Sequence, residues 1–424
     1  MTFAGNTNKI KKFMKKLALT TALALLASNS YSAGFRLAEQ SASAAGMGNA
    51  FVAVADDASA AWYNPAAMVD LEKANLSLGS VMVYPLTEHA NTPANGGQTD
   101  RVSKKLHLPP HFYATSGLNG KWAFGLSVNA PFGLETNWDR DTARTRTVAT
   151  FSRIQVINYG LNAAYKIDDR LSFGLGLDWV SLTAEMNKKV EVTGNNIEQT
   201  LKGGGAGLGC NAAGLYKMDK WRFGAGYRSK VKINVDGAIE LPLTGLYAAG
   251  AANGDASTKI TLPDLFQLGA AYKYGDKWLF SAEADYTNWA TYHKLVIDYT
   301  TTAGAAAVST ENKLWKSVWA FRLGARYNYS AAWKFRTGAF YDMTPVPSRH
   351  FETRVPDADR LAFSLGAGWT KGDITVDAAY MYLMFVERSI KNSAGGNTSA
   401  VKPELDGKYN ASAHLPALTV SYKF

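Results

Sequence analysis

The sequence has 424 residues, with 45 Lys and Arg against 35 Asp and Glu, 47% hydrophobic residues, 19% charged residues and one cysteine. That balance excludes a disordered chain, and the lone Cys210 excludes an intrachain disulfide framework or a cysteine-rich metal site. Past the first 32 residues nothing reaches the roughly 18 successive apolar residues of a membrane helix, a test that the half-apolar strands of a membrane barrel escape.

The chain opens on an address. Lys9, Lys11, Lys12, Lys15 and Lys16 precede the apolar run Leu17 to Ala27, and Ser30 and Ser32 are the small residues that cleavage before Ala33 requires. A basic stretch, a short apolar core and small residues make a secretory leader over residues 1–32, too short to span a bilayer. Translation from Met14 also gives a complete leader, so both starts fit. These lysines hold five of the ten excess positive charges, and the remainder lacks the basic excess of a nucleic-acid binder.

Residues 33–72 are rich in Ala, Gly and Ser and carry no long alternating run. Short helices suit such a composition, either as a plug inside a barrel or as a periplasmic tail. From residue 73 to 424 the pattern is different. Six short polar turns, each followed by an alternating run that opens on Trp122, Leu171, Trp221, Trp278, Trp333 or Ile374, recur at intervals of 41 to 57 residues. Each interval accommodates two strands, a tight turn and a longer loop. Within the strands the period is two: Trp319, Phe321, Leu323 and Ala325 alternate with Arg322, Gly324 and Arg326.

A soluble sandwich turns its apolar face inward, whereas a membrane barrel turns it to lipid and keeps its charges in the lumen. Strands of about 14 to 18 residues, short turns alternating with long loops, and aromatics crowded at strand ends favour the barrel. The chain ends on a strand with Leu418, Val420, Tyr422 and Phe424 on one face. Counting both ends, six turns give fourteen strands, an even number that closes without an edge. The predicted fold is all-β: a fourteen-stranded antiparallel transmembrane barrel over residues 73–424, with residues 33–72 as an N-terminal hatch of short helices in its lumen. Predicted strands include 121–131, 171–188 and 204–217. The glycine run 203–209 is expected to give the sixth strand small residues facing the plug.

Several segments carry a family signature: Ala33-Gly34-Phe35-Arg36-Leu37, Gly46-Met47-Gly48, Val54-Ala55-Asp56-Asp57-Ala58 and Asn64-Pro65-Ala66, then 227–233, Leu262-Pro263 and 336–347. In this order, over nearly the whole exported chain, they resemble the long-chain fatty-acid transporter (FadL) family of outer-membrane proteins. The resemblance implies uptake of a long-chain fatty acid through a plugged barrel in the cell outer membrane. Aromatic hydrocarbons and alkanes are alternative cargoes of the same fold, and a general porin is the more distant one.

Candidate site residues follow. In the loop 237–257, Leu241, Leu243, Leu246 and Tyr247 place apolar side chains outside, as a capture surface does; the resemblance puts a landing groove there. It also implies an internal site near Phe35, with Lys188 and Lys316 facing a carboxylate, and Asn64, Pro65 and Ala66 as a hatch motif. Asn129, Pro131, Phe132 and Gly133 interrupt the third strand. Proline lacks the ladder donor and glycine bends freely, so a kink or bulge is predicted; the resemblance implies a lateral opening. Ser348 and His350 lack a nucleophile motif, and the six histidines do not cluster. A transporter is expected rather than an enzyme, without cofactor or metal. Its expected partners are a hydrophobic small molecule and outer-membrane lipid, not nucleic acid, and it is expected to act as a monomer.

Overall fold

The computed structural model describes residues 34–71, 73–192, 194–242, 253–301, 304–396 and 400–424. The leader read over residues 1–32 lies outside them. Among the described residues, fourteen antiparallel staves form one closed sheet. They are β1 (Asn75–Val81 and Tyr84–Asn91), β2 (Pro110–Leu118, with Thr99–Arg101 as an outer rung), β3 (Trp122–Asn137), β4 (Phe151–Lys166), β5 (Leu171–Val192), β6 (Asn195–Met218) and β7 (Trp221–Arg228 and Val231–Glu240). The circuit continues with β8 (Gly254–Leu262 and Leu265–Tyr274), β9 (Trp278–Thr287 and Lys294–Thr300), β10 (Ala306–Asn312 and Val318–Asn328), β11 (Trp333–Asp342), β12 (Arg360–Lys371), β13 (Ile374–Phe385 and Arg388–Ile390) and β14 (Gly407–Lys423). β14 pairs with β13 and, from Asn75↔Lys423 to Val81↔Ala417, with β1, which closes the wall.

The polarity is inverted relative to a water-soluble sheet. Leu175, Leu323 and Leu365 are 67%, 63% and 68% exposed, whereas Arg322, between Phe321 and Leu323, is 1% exposed and Asp285 is 1%. Only a surrounding apolar solvent makes the first set favourable, because every exposed strand leucine would otherwise cost one to three kcal/mol, roughly. Cross-strand aromatic pairs mark the edges of that solvent. Near the short turns lie Trp122–Tyr165, Trp221–Tyr272 and Trp278–Tyr327, with ring centroids 4.7 Å apart in each pair. Toward the other end lie Tyr159–Trp179, Tyr227–Phe266 and Tyr286–Trp319, at 5.1, 4.6 and 5.1 Å. On β9, Trp278 and Tyr286 belong to opposite rings; eight tilted residues rise about 20 Å, close to the apolar height of an outer-membrane barrel.

Two strands are longer than predicted. β5 and β6 have 22 and 24 residues and pair up to Val192↔Asn195. Their charged upper parts read as loop in the sequence, yet they rise into water, where opposite charges on adjacent strands hold the ladder. Lys189 sits 3.6 Å from Glu198, and Lys202 sits 3.8 Å from Glu185. The glycine run also differs from expectation. Gly205 and Gly207 are covered by the backbone of β7: a Cβ at Gly205 would come within 1.9 Å of the Asn234 carbonyl. The break of β7 between Arg228 and Val231 leans its upper half over β6, and the glycines admit it.

Residues 34–71 fill the lumen, with two one-turn helices, α1 (Ala42–Ala45) and α2 (Ala60–Tyr63), and a 3-10 segment Pro65–Asp70. Such short helices are not stable alone, so the wall supplies their stability. Glu283 accepts from the Phe51 and Val52 amides, both at 2.7 Å, and Arg222 Nε donates to the Ala53 carbonyl at 2.9 Å. Asn64 caps the 3-10 segment by accepting from the Ala66 amide at 3.1 Å, while its Nδ2 donates to Val52 and Gly214 carbonyls. Pro65 rests on Gly174, where a Cβ would lie 2.8 Å from the proline. Gly338 likewise leaves room for the Gly48 amide.

Candidate functional site

The first described residues build the floor of a cavity. Gly34 has φ +59°, and a Cβ there would strike Trp315 at 2.7 Å and Trp289 at 2.9 Å, so no other residue fits without strain. Its amide donates to Asp357 Oδ2 at 2.9 Å. Phe35, 6% exposed, then enters an aromatic nest: its ring centroid lies 4.7 Å from Trp289, 5.8 Å from Trp315 and 6.0 Å from Phe132. Trp289 reaches inward because β9 breaks there into a 3-10 turn, Trp289–Thr291, and Trp315 because β10 breaks between Asn312 and Val318.

Above Phe35 the cavity bounds about 800 Å³, its open side included, between apolar side chains of the tall strands such as Leu134, Ile154, Met186, Leu201, Ile260 and Ile297. One end is ionic. Lys313 pairs with Glu311 at 2.8 Å and with Glu352, and Arg354 pairs with Glu352 at 2.6 Å and Glu311 at 3.1 Å. All four residues are under 10% exposed. Burial disfavours the charges of Glu311, Lys313 and Arg354, but the alternation wins: Arg354 and Lys313 hold Glu311 well below the usual carboxylate range, and the two glutamates hold Lys313 above the lysine range. The ring is electrically balanced.

Lys188 adds a third cation beside the ring, in the field of Glu311 and Glu352. It continues the inward face of Leu182, Ala184 and Met186, and it makes no ion pair among the described residues. Burial, and then the neighbouring Arg354, push its ammonium below the ordinary lysine value. Lys316 stands elsewhere: its side chain is exposed and its amide donates to the Pro345 carbonyl at 3.0 Å. The cation three residues earlier, Lys313, lines the cavity instead. Sequence reading missed the ring because its members come from 311–313 and 352–354, short charged runs that look like solvated loops. Leu241 is buried in the same apolar cluster as Phe35, whereas Leu243, Leu246 and Tyr247 lie outside the described residues.

Pro131 and Gly133 do not end β3. The strand runs on to Asn137 through a bulge, in which Asn129 faces Asn158 and Phe132 faces Val156, so β3 has one residue in excess. The hatch takes up the freed backbone groups. Gly133 donates to the Phe35 carbonyl at 2.9 Å, Leu37 donates to the Pro131 carbonyl at 2.8 Å, and Arg36 bridges Phe132. Asn129 Nδ2 donates to Gln40 Oε1 at 3.1 Å, and Gln40 Nε2 to the Ala130 carbonyl at 3.0 Å. One hatch segment thus floors an apolar chamber with an ionic rim, through Phe35, and stops a defect in the wall, through its neighbours.

A family profile described as outer membrane protein transport protein (OMPP1/FadL/TodX) matches residues 23–424. A long-chain fatty acid transport protein of Escherichia coli O6:H1 is 28% identical, over 94% of this chain and 97% of its own. A solved Pseudomonas aeruginosa FadL homologue superposes with a TM-score of 0.81 at 20% identity, over 92% of this chain and 100% of its own. The Ralstonia pickettii toluene transporter TbuX gives 0.69 at 17% identity, over 93% and 99%. The chain belongs to the outer membrane protein transport protein family (OMPP1/FadL/TodX).

Proposed function

We propose that this outer-membrane transporter takes up long-chain fatty acids by diffusion in three stages: capture at the outer loop that carries Leu243, Leu246 and Tyr247, with Leu241 buried beneath rather than facing outward as expected, binding in the cavity above Phe35, and sideways exit at the β3 bulge. Residues 1–32 are the cleaved leader in this reading, residues 33–72 the hatch and residues 73–424 the barrel. The observation that carries it is the cavity itself, apolar along its length and bounded by Lys313 and Arg354 at one end, with Lys188 in their neighbourhood. An acyl chain gains roughly 0.8 kcal/mol per buried methylene, and its carboxylate needs a cation to be buried as a charge. The fatty-acid name of the Escherichia coli relative supports the same cargo.

A neutral hydrocarbon is the second reading. Glu311 and Glu352 already balance Lys313 and Arg354, and a solved neighbour is titled a toluene transporter. Equilibrium binding of oleate and of toluene to purified protein separates the two: oleate should bind at least tenfold more tightly, and the reverse order rejects the fatty-acid reading.

The exit has its own test. A Cβ at Gly133 would press on Leu37 at 3.2 Å, so a leucine there fills the defect. Gly133→Leu is expected to reduce oleate uptake by cells at least tenfold while surface abundance and oleate binding stay near wild type. Undiminished uptake would reject the lateral route.

A further inference from the structure

Arg36 is placed unlike the other lumen arginines. It stands on the hatch segment that stops the β3 bulge, opposite Phe132. Its guanidinium reaches across the lumen to Asp285 at 2.9 Å and Thr287 at 3.4 Å, both on β9. Asp285 Oδ2 accepts a second hydrogen bond, from Arg322 Nε at 3.1 Å. The Asp285 side chain is wholly buried and that of Arg322 is 1% exposed, against 13% for Arg36. Asp285 therefore keeps a sealed arginine, and Gln267 Nε2 on its other oxygen at 3.3 Å, whether or not the hatch arginine stays.

This asymmetry makes withdrawal feasible. Breaking a buried ion pair is expensive chiefly because it strands a charge, and Arg322 prevents that for Asp285. Arg36 lines a small chamber behind the bulge, together with Pro131, Phe132, Asp178 and Arg228. Arg228 is fixed there by Asp178 at 2.5 Å, by the Trp62 carbonyl at 3.1 Å and by stacking 3.7 Å over the Trp62 ring. Of the two guanidiniums in the chamber, that of Arg36 is paired to a carboxylate that a second arginine also holds, whereas the other donor on Asp178 is the neutral Asn211 amide, at 3.0 Å.

We propose that Arg36 is a specificity-determining latch, held across the wall defect by Asp285 and released when an anionic amphiphile arriving from the cavity puts its own carboxylate on the guanidinium. The exchange conserves charge: one carboxylate replaces another on Arg36, and Asp285 keeps Arg322. A neutral hydrocarbon offers no such exchange and leaves the latch shut. The inference rests on the lateral route proposed above.

The test compares wild type, Arg36→Met and Arg36→Lys in cells at matched surface abundance. Initial uptake of oleate and of hexadecane is measured, together with equilibrium oleate binding to the purified protein. Wild type should favour oleate. Arg36→Met should raise hexadecane uptake at least threefold and bring the oleate-to-hexadecane ratio toward one, with oleate binding changed less than twofold. Arg36→Lys, which keeps the charge, should hold the wild-type ratio within a factor of two. Where Arg36→Met fails to reach the surface, Arg36→Gln is read by the same ratio. An unchanged ratio in the neutral variant, or a lysine variant that behaves like it, overturns the latch while the transport reading stands. Wild type that takes up neither compound overturns the transport reading, and the latch with it.

Discussion

Lys188 shows how a single side chain tunes a site whose remaining charges cancel. The Glu311, Lys313, Glu352 and Arg354 ring is balanced, and the Lys188 ammonium beside it, which makes no ion pair among the described residues, leaves the group with a net positive charge for a carboxylate. Burial holds that ammonium below the lysine range, and a bound anion should raise it again. A charge-assisted contact at a half-buried group contributes about 1 to 2 kcal/mol. Lys188→Met is accordingly expected to weaken oleate binding 5- to 30-fold and leave toluene binding unchanged, as read by competition in detergent; Lys316→Met, at an exposed position, should change neither by more than twofold. Asp357 acts at the same scale. Burial lifts its carboxyl to about 6, above the ordinary 3.8, although it accepts the Gly34 amide and the Thr344 hydroxyl. An acid with a raised folded value binds its proton more tightly folded than unfolded, so its contribution to stability is complete below the unfolded value and is lost as pH rises from about 4 through 6. The loss is of the order of 3 kcal/mol. Asp357→Asn should flatten the fall in thermal unfolding temperature across that window; an unaltered slope would assign it to another group.

At the scale of elements, the legible features were those with a local chemical cause. The six short turns fall where polar and glycine residues interrupt alternation, because tight hairpins need those backbone angles. Pro131 and Gly133 announced a defect because proline cannot donate to a ladder, and the defect is there. Its outcome was not legible. The backbone groups it frees are taken up by Phe35 and Leu37, almost a hundred residues away, and no local pattern encodes that pairing. The upper halves of β5 and β6 were missed for a related reason. Alternation of apolar and polar residues identifies a strand only where its two faces meet different solvents, and above the outer aromatic ring the exterior is water. There the ladder is specified by cross-strand charge pairs such as Lys189 with Glu198, which become visible only once the register is known. The same limit hid Lys313 and Arg354. They become neighbours because β10 breaks before Val318 and the segment between β11 and β12 folds back over the lumen, two events separated in sequence and joined only by closure of the wall.

For the whole molecule the decisive physical fact is which side of the wall is wet. Neighbouring positions on β10 make the point: Leu323 points out and is 63% exposed, and Arg322 points in and is 1% exposed beside Asp285. In water this arrangement would be doubly unfavourable, with leucines unburied and charges desolvated. In a bilayer the outward leucines meet acyl chains, and the inward charges are consumed in fixing the hatch, as Glu283 does at Phe51 and Val52 and Arg326 does at Asp56. The plug and the inverted polarity therefore require each other: a lumen this charged needs backbone groups to bond, and a hatch this short needs a wall to cap its ends. Placing a charge on the lipid face tests the arrangement directly. Leu323→Arg lies between the two aromatic rings, since Tyr327 and Trp319 flank it on the same strand face, and an arginine near the bilayer midplane costs a barrel about 2 to 4 kcal/mol. The folded fraction in lipid vesicles, read from the heat-modifiable band on cold gel electrophoresis, should fall with a shift in denaturant midpoint of that size. The same change at Leu201, which faces the cavity above the outer ring, should leave the folding midpoint nearly unaltered and reduce oleate binding instead. Equal tolerance of arginine at positions 323 and 201 would mean that the leucine face of β10 meets water, and the membrane orientation argued from it would fall.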